Sequence, residues 1–149
     1  MNDVEVASAG IDDPDWLQGC KRFSKLVMEA RCIDNWELSI LLTDDSTIRQ
    51  LNRHYRDMDV PTDVLSFSQD PDYATPVGRG KIPAGDIVIS LETLSRNARV
   101  RLIPKEEELK RLLIHGILHL EGMDHEDQDS EMIRLQEDIL RQLKKERIF

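Results

Sequence analysis

The segment from Leu109 to Leu120 constrains this chain more than any other. Read as a helix, its apolar residues cover nearly the whole circumference, and only His115 and His119 interrupt them in its second half. A helix apolar all round has to be wrapped by the rest of the chain. With 149 residues, that means one domain spanning 1–149, built around a central buried helix. Pro104 suits the first turn, and Glu106, Glu107 and Glu108 complement its positive end. The pattern runs to about Glu121 and stops at Gly122.

The rest of the chain supplies the wrapping. Pro14 to about Arg31 reads as a helix with Trp16, Leu17, Phe23, Val27 and Met28 as its apolar positions. Glu37–Thr43 reads as a strand, after which Asp44 or Asp45 caps a helix through about Tyr55. Asp63–Ser68 alternates as a short strand, 69–80 is turn-rich, and Ala84–Ser90 is the best strand in the sequence. Leu91–Arg101 follows as a helix. A last helix starts near Asp129, with Met132, Leu135, Ile139, Leu140 and Leu143 inward and Lys144, Lys145 and Arg147 in its final turn. Strands and helices are interspersed without a strict βαβ rhythm, so the fold class is α+β.

The chemistry concentrates in the same central helix. Three of the four histidines fall in one window, spaced H-x3-H-x5-H as His115, His119 and His125. His115 and His119 lie one helical turn apart on one face, and Gly122 lets the chain turn so that His125 can swing back. Three neutral imidazoles and one open position describe a catalytic metal site, whereas a structural zinc site is closed by a fourth protein ligand. One divalent ion is expected, zinc first, although nickel, cobalt or copper also suit imidazole. The same spacing occurs in zinc proteases, which carry a Glu general base directly after the first His. Here that residue is Gly116, so peptide hydrolysis by that route is disfavoured.

Charge narrows the partners. The net charge is −9, which argues against a protein that coats nucleic acid non-specifically. The middle of the chain is the exception, since residues 46–103 carry +1 against −6 for 1–45 and −4 for 104–149. Arg49, Arg53 and Arg56 form one helical stripe there, and Arg56, at the helix exit beside a strand, is the best candidate to hold a phosphate. Arg49 and Arg53 read first as a solvated face, and His54 as a surface residue. Asp124, beside the third histidine, is the candidate catalytic carboxylate, and Asp86 a weaker one. Cys20 and Cys32 show no paired spacing and read as reduced, partly buried thiols. No apolar run is long enough for a membrane span and no signal peptide is visible, so a cytoplasmic location is expected.

These motifs carry a family resemblance. HGILHLEGMDHE at 115–126 resembles the H-G-x-L-H-L-x-G-x-D-H signature of the YbeY family of metal-dependent endoribonucleases. LNRHYRDMDVPTDVLSF at 51–67 and GDIVIS at 85–90 are similar to its second and third motifs, in the same order. The resemblance implies a mixed four-stranded sheet packed with about five helices, the metal-binding helix central among them. It also implies a zinc-like ion on His115, His119 and His125, and a functional Arg56. The substrate it implies is single-stranded RNA, at the 3′ end of 16S small-subunit rRNA, with a part in ribosome quality control; no DNA is expected. Met123 stands where the family usually has Tyr, and Ser68 where Pro is common. Two other readings compete: a metal-dependent hydrolase of a non-RNA substrate, and a metal-stabilised ribosome- or RNA-binding factor without turnover.

Overall fold

The computed structural model describes residues 1–69, 81–123 and 131–149. Four strands form one mixed sheet in the order β1-β2-β4-β3. β1 (Asp3–Ser8), β2 (Trp36–Thr43) and β4 (Ile82–Ser90) run parallel, and β3 (Val64–Ser68) is an antiparallel edge strand beside β4. Among the described residues five helices accompany the sheet: α1 (Leu17–Ala30), α2 (Asp45–Arg56), α3 (Leu91–Arg101), α4 (Lys105–Leu120) and α5 (Glu131–Gln142).

The sheet's two faces are unequal. Leu38, Ile40 and Leu42 of β2, with Ile87 and Ile89 of β4, meet α1 and α4 in the main core. On the other face Ile48 of α2 packs with Leu65 and Val88 in a small second cluster. The expectation for α4 holds: Leu109, Leu113, Ile114, Ile117 and Leu118 are fully buried. Gly116 lies so close to the sheet that a Cβ there would stand 2.7 Å from Cδ1 of the buried Ile87. A side chain at the protease-base position would therefore press on Ile87 in the core. Pro104 sits one residue earlier than expected, as the N-cap.

The end of α4 is firmly held. The Gly122 amide donates to the His119 carbonyl (2.9 Å) and the Met123 amide to the Leu118 carbonyl (3.1 Å), with Gly122 at φ +98°. This paired arrangement is a Schellman stop, which needs the left-handed residue that glycine supplies. Arg31, the C-cap of α1, clamps Glu121 with two bonds of 2.7 and 3.3 Å.

α2 and α3 are joined at their N-termini. Asp44 caps α2 through the Thr47 amide, and Ser90 caps α3 through the Thr93 amide. The Asp45 carboxylate accepts from Ser90 Oγ, Thr93 Oγ1 and Arg96 Nη2, each at 2.6 Å. Glu92 returns the contact by accepting from the Asp45 amide at 2.9 Å.

Two features depart from the sequence reading. β1 was not foreseen, although Val4 and Val6 alternate with acids in it; Val4 is buried in the core. The last helix ends at Gln142, so Lys144, Lys145 and Arg147 lie beyond it and Arg141 is its terminal base. The chain tightens there, with the Glu146 amide donating to the Leu143 carbonyl, and then turns Ile148 into the core. Asp129, the expected start of α5, lies outside the described residues.

Candidate active site

Helix geometry brings His115 and His119 together. Their ring centroids are 4.7 Å apart with planes at 76°. Both line a cleft of about 380 Å³, whose opposite wall is Asp63, Ser66 and Ser68 of the β3 region. Arg56 reaches the same cleft as the last residue of α2. The next residue, Asp57, takes a left-handed conformation (φ +57°) and turns the chain away. Asn52, almost wholly buried, then donates to the Val60 carbonyl at 2.9 Å and fixes the connection toward β3. Arg56 therefore arrives beside the histidines through the end of one helix and one pinned loop.

A second cavity of about 550 Å³ adjoins the cleft and shares Asp63, Val64 and His115 with it. Its far side carries a chain of polar contacts. His115 Nδ1 lies 2.7 Å from Gln136 Oε1. Gln136 Nε2 donates to Glu137 Oε2 at 3.1 Å, and Arg111 donates to both Glu137 oxygens at 3.0 and 3.1 Å. Arg111 also reaches Glu108 Oε1 at 3.3 Å, as does Arg101. The Arg111 guanidinium holds the Glu137 carboxyl below the usual carboxylate range. Glu108 is buried, and its Oε2 has no hydrogen-bond partner. Ser66 Oγ, in the wall facing the histidines, is a second buried oxygen without one.

Other candidates sort themselves by place. His125 and Asp124 lie outside the described residues. Among the described residues, no group of three His, Cys, Asp or Glu side chains is arranged to hold an ion. Arg49 pairs with Asp59 at 2.8 Å on the surface, as expected of a solvated face. His54 is exposed and stands edge-on to Tyr55. Asp86 alternates with the core residue Ile87 on β4, so it faces away from the histidines, and burial pushes its carboxyl up. Burial also pushes the Cys20 thiol up to about 12, whereas Cys32 is exposed; both are free. Ser68 does line the cleft, but Met123 packs against the core.

Sequence reasoning missed Asp63, Gln136 and Glu137. Asp63 sits in the PTDVLSF segment, where its Oδ1 accepts from the Val64 amide at 2.8 Å and its Oδ2 from Asn97 at 3.4 Å. Its place in a quoted motif was the available signal. Gln136 and Glu137 gave none, since they look like the polar side of an ordinary amphipathic helix.

A family profile described as Endoribonuclease YbeY matches residues 4–144. The chain belongs to the YbeY endoribonuclease family. A relative from Treponema pallidum, named Endoribonuclease YbeY, is 46% identical over 144 residues, covering 95% of this chain and 90% of that protein. One from Treponema denticola with the same name is 47% identical over 131 residues, covering 87% and 84%. The solution structure of a Thermotoga maritima protein is similar at 27% identity with a TM-score of 0.67, covering 96% of this chain and 90% of that one. The α+β fold with a mixed four-stranded sheet and five helices agrees with that likeness. Among the described residues, no helix is long and apolar enough to cross a membrane.

Proposed function

We propose that this chain is a metal-dependent endoribonuclease that cuts single-stranded RNA, acting in the cytoplasm on the 3′ end of 16S rRNA and in ribosome quality control. The observation that carries the reading is one cleft lined by a guanidinium, Arg56, and by two imidazoles on adjacent turns, His115 and His119. Imidazoles at this spacing suit a zinc-like divalent ion, and His125 is the third proposed ligand. When bound, such an ion acts as a Lewis acid toward a phosphoryl oxygen or makes water a stronger nucleophile at neutral pH. Arg56 binds the scissile phosphate and offsets the charge that gathers on its oxygens during in-line displacement. Asp63, on the same wall, and Asp124 are the carboxylates proposed to accept or hold a proton near that phosphate. Gly116, where the zinc proteases carry their general-base Glu, works against a peptide-hydrolysing reading.

The test is cleavage of an end-labelled single-stranded RNA, with His119→Ala purified in parallel. The wild type should cut and the variant fall to background, while both hold the same fold by circular dichroism. Equal cutting by both would assign the activity to a contaminant. Zinc binding without any cutting would favour the binding-factor alternative, to be pursued by ribosome co-sedimentation.

A further inference from the structure

Binding an ion through a neutral imidazole requires the proton to sit on the nitrogen that does not ligate. In free imidazole side chains the favoured tautomer carries it on Nε2, so a ligand that uses Nε2 needs an acceptor beside Nδ1. For His115 that acceptor is Gln136 Oε1, 2.7 Å from Nδ1. An amide could in principle turn either end toward the ring. Here the other end decides. Gln136 Nε2 faces Glu137 Oε2 at 3.1 Å, and a flipped amide would set its oxygen against a carboxylate oxygen. Glu137 is kept an acceptor by the two bonds from Arg111. The donors then run in one sense: Arg111 to Glu137, Gln136 to Glu137, and His115 Nδ1–H to Gln136.

We propose that Gln136 is a positioning residue for ion binding: its side-chain oxygen keeps the His115 proton on Nδ1 and so makes Nε2 the ligand nitrogen, with Glu137 and Arg111 fixing the sense of the amide. The proposal rests on the reading of His115 as an ion ligand. It places part of the site's chemistry on α5, which carries no expected ligand, and it accounts for a glutamine that is 5% exposed on an otherwise ordinary amphipathic helix. Partners of this kind typically alter metal affinity by about 10–100-fold when removed.

The test uses the full chain, with zinc as the probe and two variants. In metal-free protein with neutral imidazoles, long-range ¹H–¹⁵N correlation should show wild-type His115 as the Nδ1–H tautomer. Gln136→Leu, which fills the space without an acceptor, should shift it toward Nε2–H and weaken zinc binding, by chelator competition, about 10–100-fold. Gln136→Glu combined with Glu137→Gln, which keeps an acceptor oxygen beside Nδ1 and sets it against an amide rather than a second carboxylate, should retain the Nδ1–H tautomer. A purely structural role would lower the unfolding midpoint without moving the tautomer. An Nε2–H tautomer in the wild type overturns the proposal, as does unchanged zinc affinity in Gln136→Leu. A wild type that holds no zinc overturns the ion-site reading and this proposal with it. Normal zinc binding with an unmoved tautomer overturns this proposal alone.

Discussion

Two polar clusters each tie a pair of helices together, and they differ in where they end. At the start of α2 and α3, Asp45 gathers three donors and Glu92 returns a bond to the Asp45 amide, so the cluster closes on itself. Between α4 and α5, the chain from Arg111 through Glu137 and Gln136 ends on a ring nitrogen of His115, in the wall of the cleft. That second cluster also leaves Glu108 Oε2 buried without a partner. A closed cluster spends all its hydrogen-bonding capacity on holding elements together. The other reaches a residue of the cleft and includes a buried oxygen, Glu108 Oε2, without a hydrogen-bond partner.

The sharpest way to break this comparison is Arg111→Met. It removes one of the two guanidiniums on buried Glu108, leaving Arg101, and the one that orients Glu137, so denaturant unfolding should show a loss of about 3 kcal/mol, the low end for breaking a buried ion pair. Zinc affinity should fall with it, because Glu137 no longer fixes the Gln136 amide. Asp45→Ala should cost less, about 1–3 kcal/mol for hydrogen bonds lost at a partly buried carboxylate. Its zinc affinity and cleavage rate should stay within about twofold of wild type, since its cluster shares no residue with the cleft. If Asp45→Ala weakened zinc as much as Arg111→Met, the distinction between the clusters would fail.

The smallest effect concerns acid. Arg111, through its hydrogen bonds, holds Glu137 below its ordinary value. Burial, the largest single influence on Asp45, pushes it up, but Ser90, Thr93 and Arg96 together keep it lowered. A carboxylate depressed on folding contributes stability in full above its unfolded value, about 4.3 for Glu. That contribution is lost as pH falls through the lower folded value. Melting curves between about pH 5 and pH 3 should therefore show the wild-type midpoint dropping more steeply than that of Glu137→Gln, with the gap between them closing.

What could be read from the sequence was local. The α4 pattern, a cap at Asp44 or Asp45, the bounds of α3 and the Gly122 stop all follow from periodicity and capping within a turn or two. His115 and His119 were legible for the same reason, being i and i+4 on one helix. The residues that were missed act across distance. β1 is stabilised by pairing with β2 some 34 residues away in register, and half of its side chains are polar. Gln136 meets His115 from a different helix, which no single-segment pattern encodes. The overextended last helix failed likewise: burial of Ile148, set by contact with α1 at Gly19, ends it before its run of bases.

The order of elements along the chain bears on how the site comes into being. All four strands lie before residue 91, and both histidines of the cleft come after it. During synthesis the N-terminal stretch can complete its parallel pairings while α4 is still inside or near the exit tunnel. Those pairings join distant segments and are the slow part of folding, whereas α4 and α5 form quickly once emerged. For the proposed ion, that order puts capture at the end of biogenesis: α4 settles on a finished sheet, and the Gln136 amide reaches His115 only when α5 has followed it.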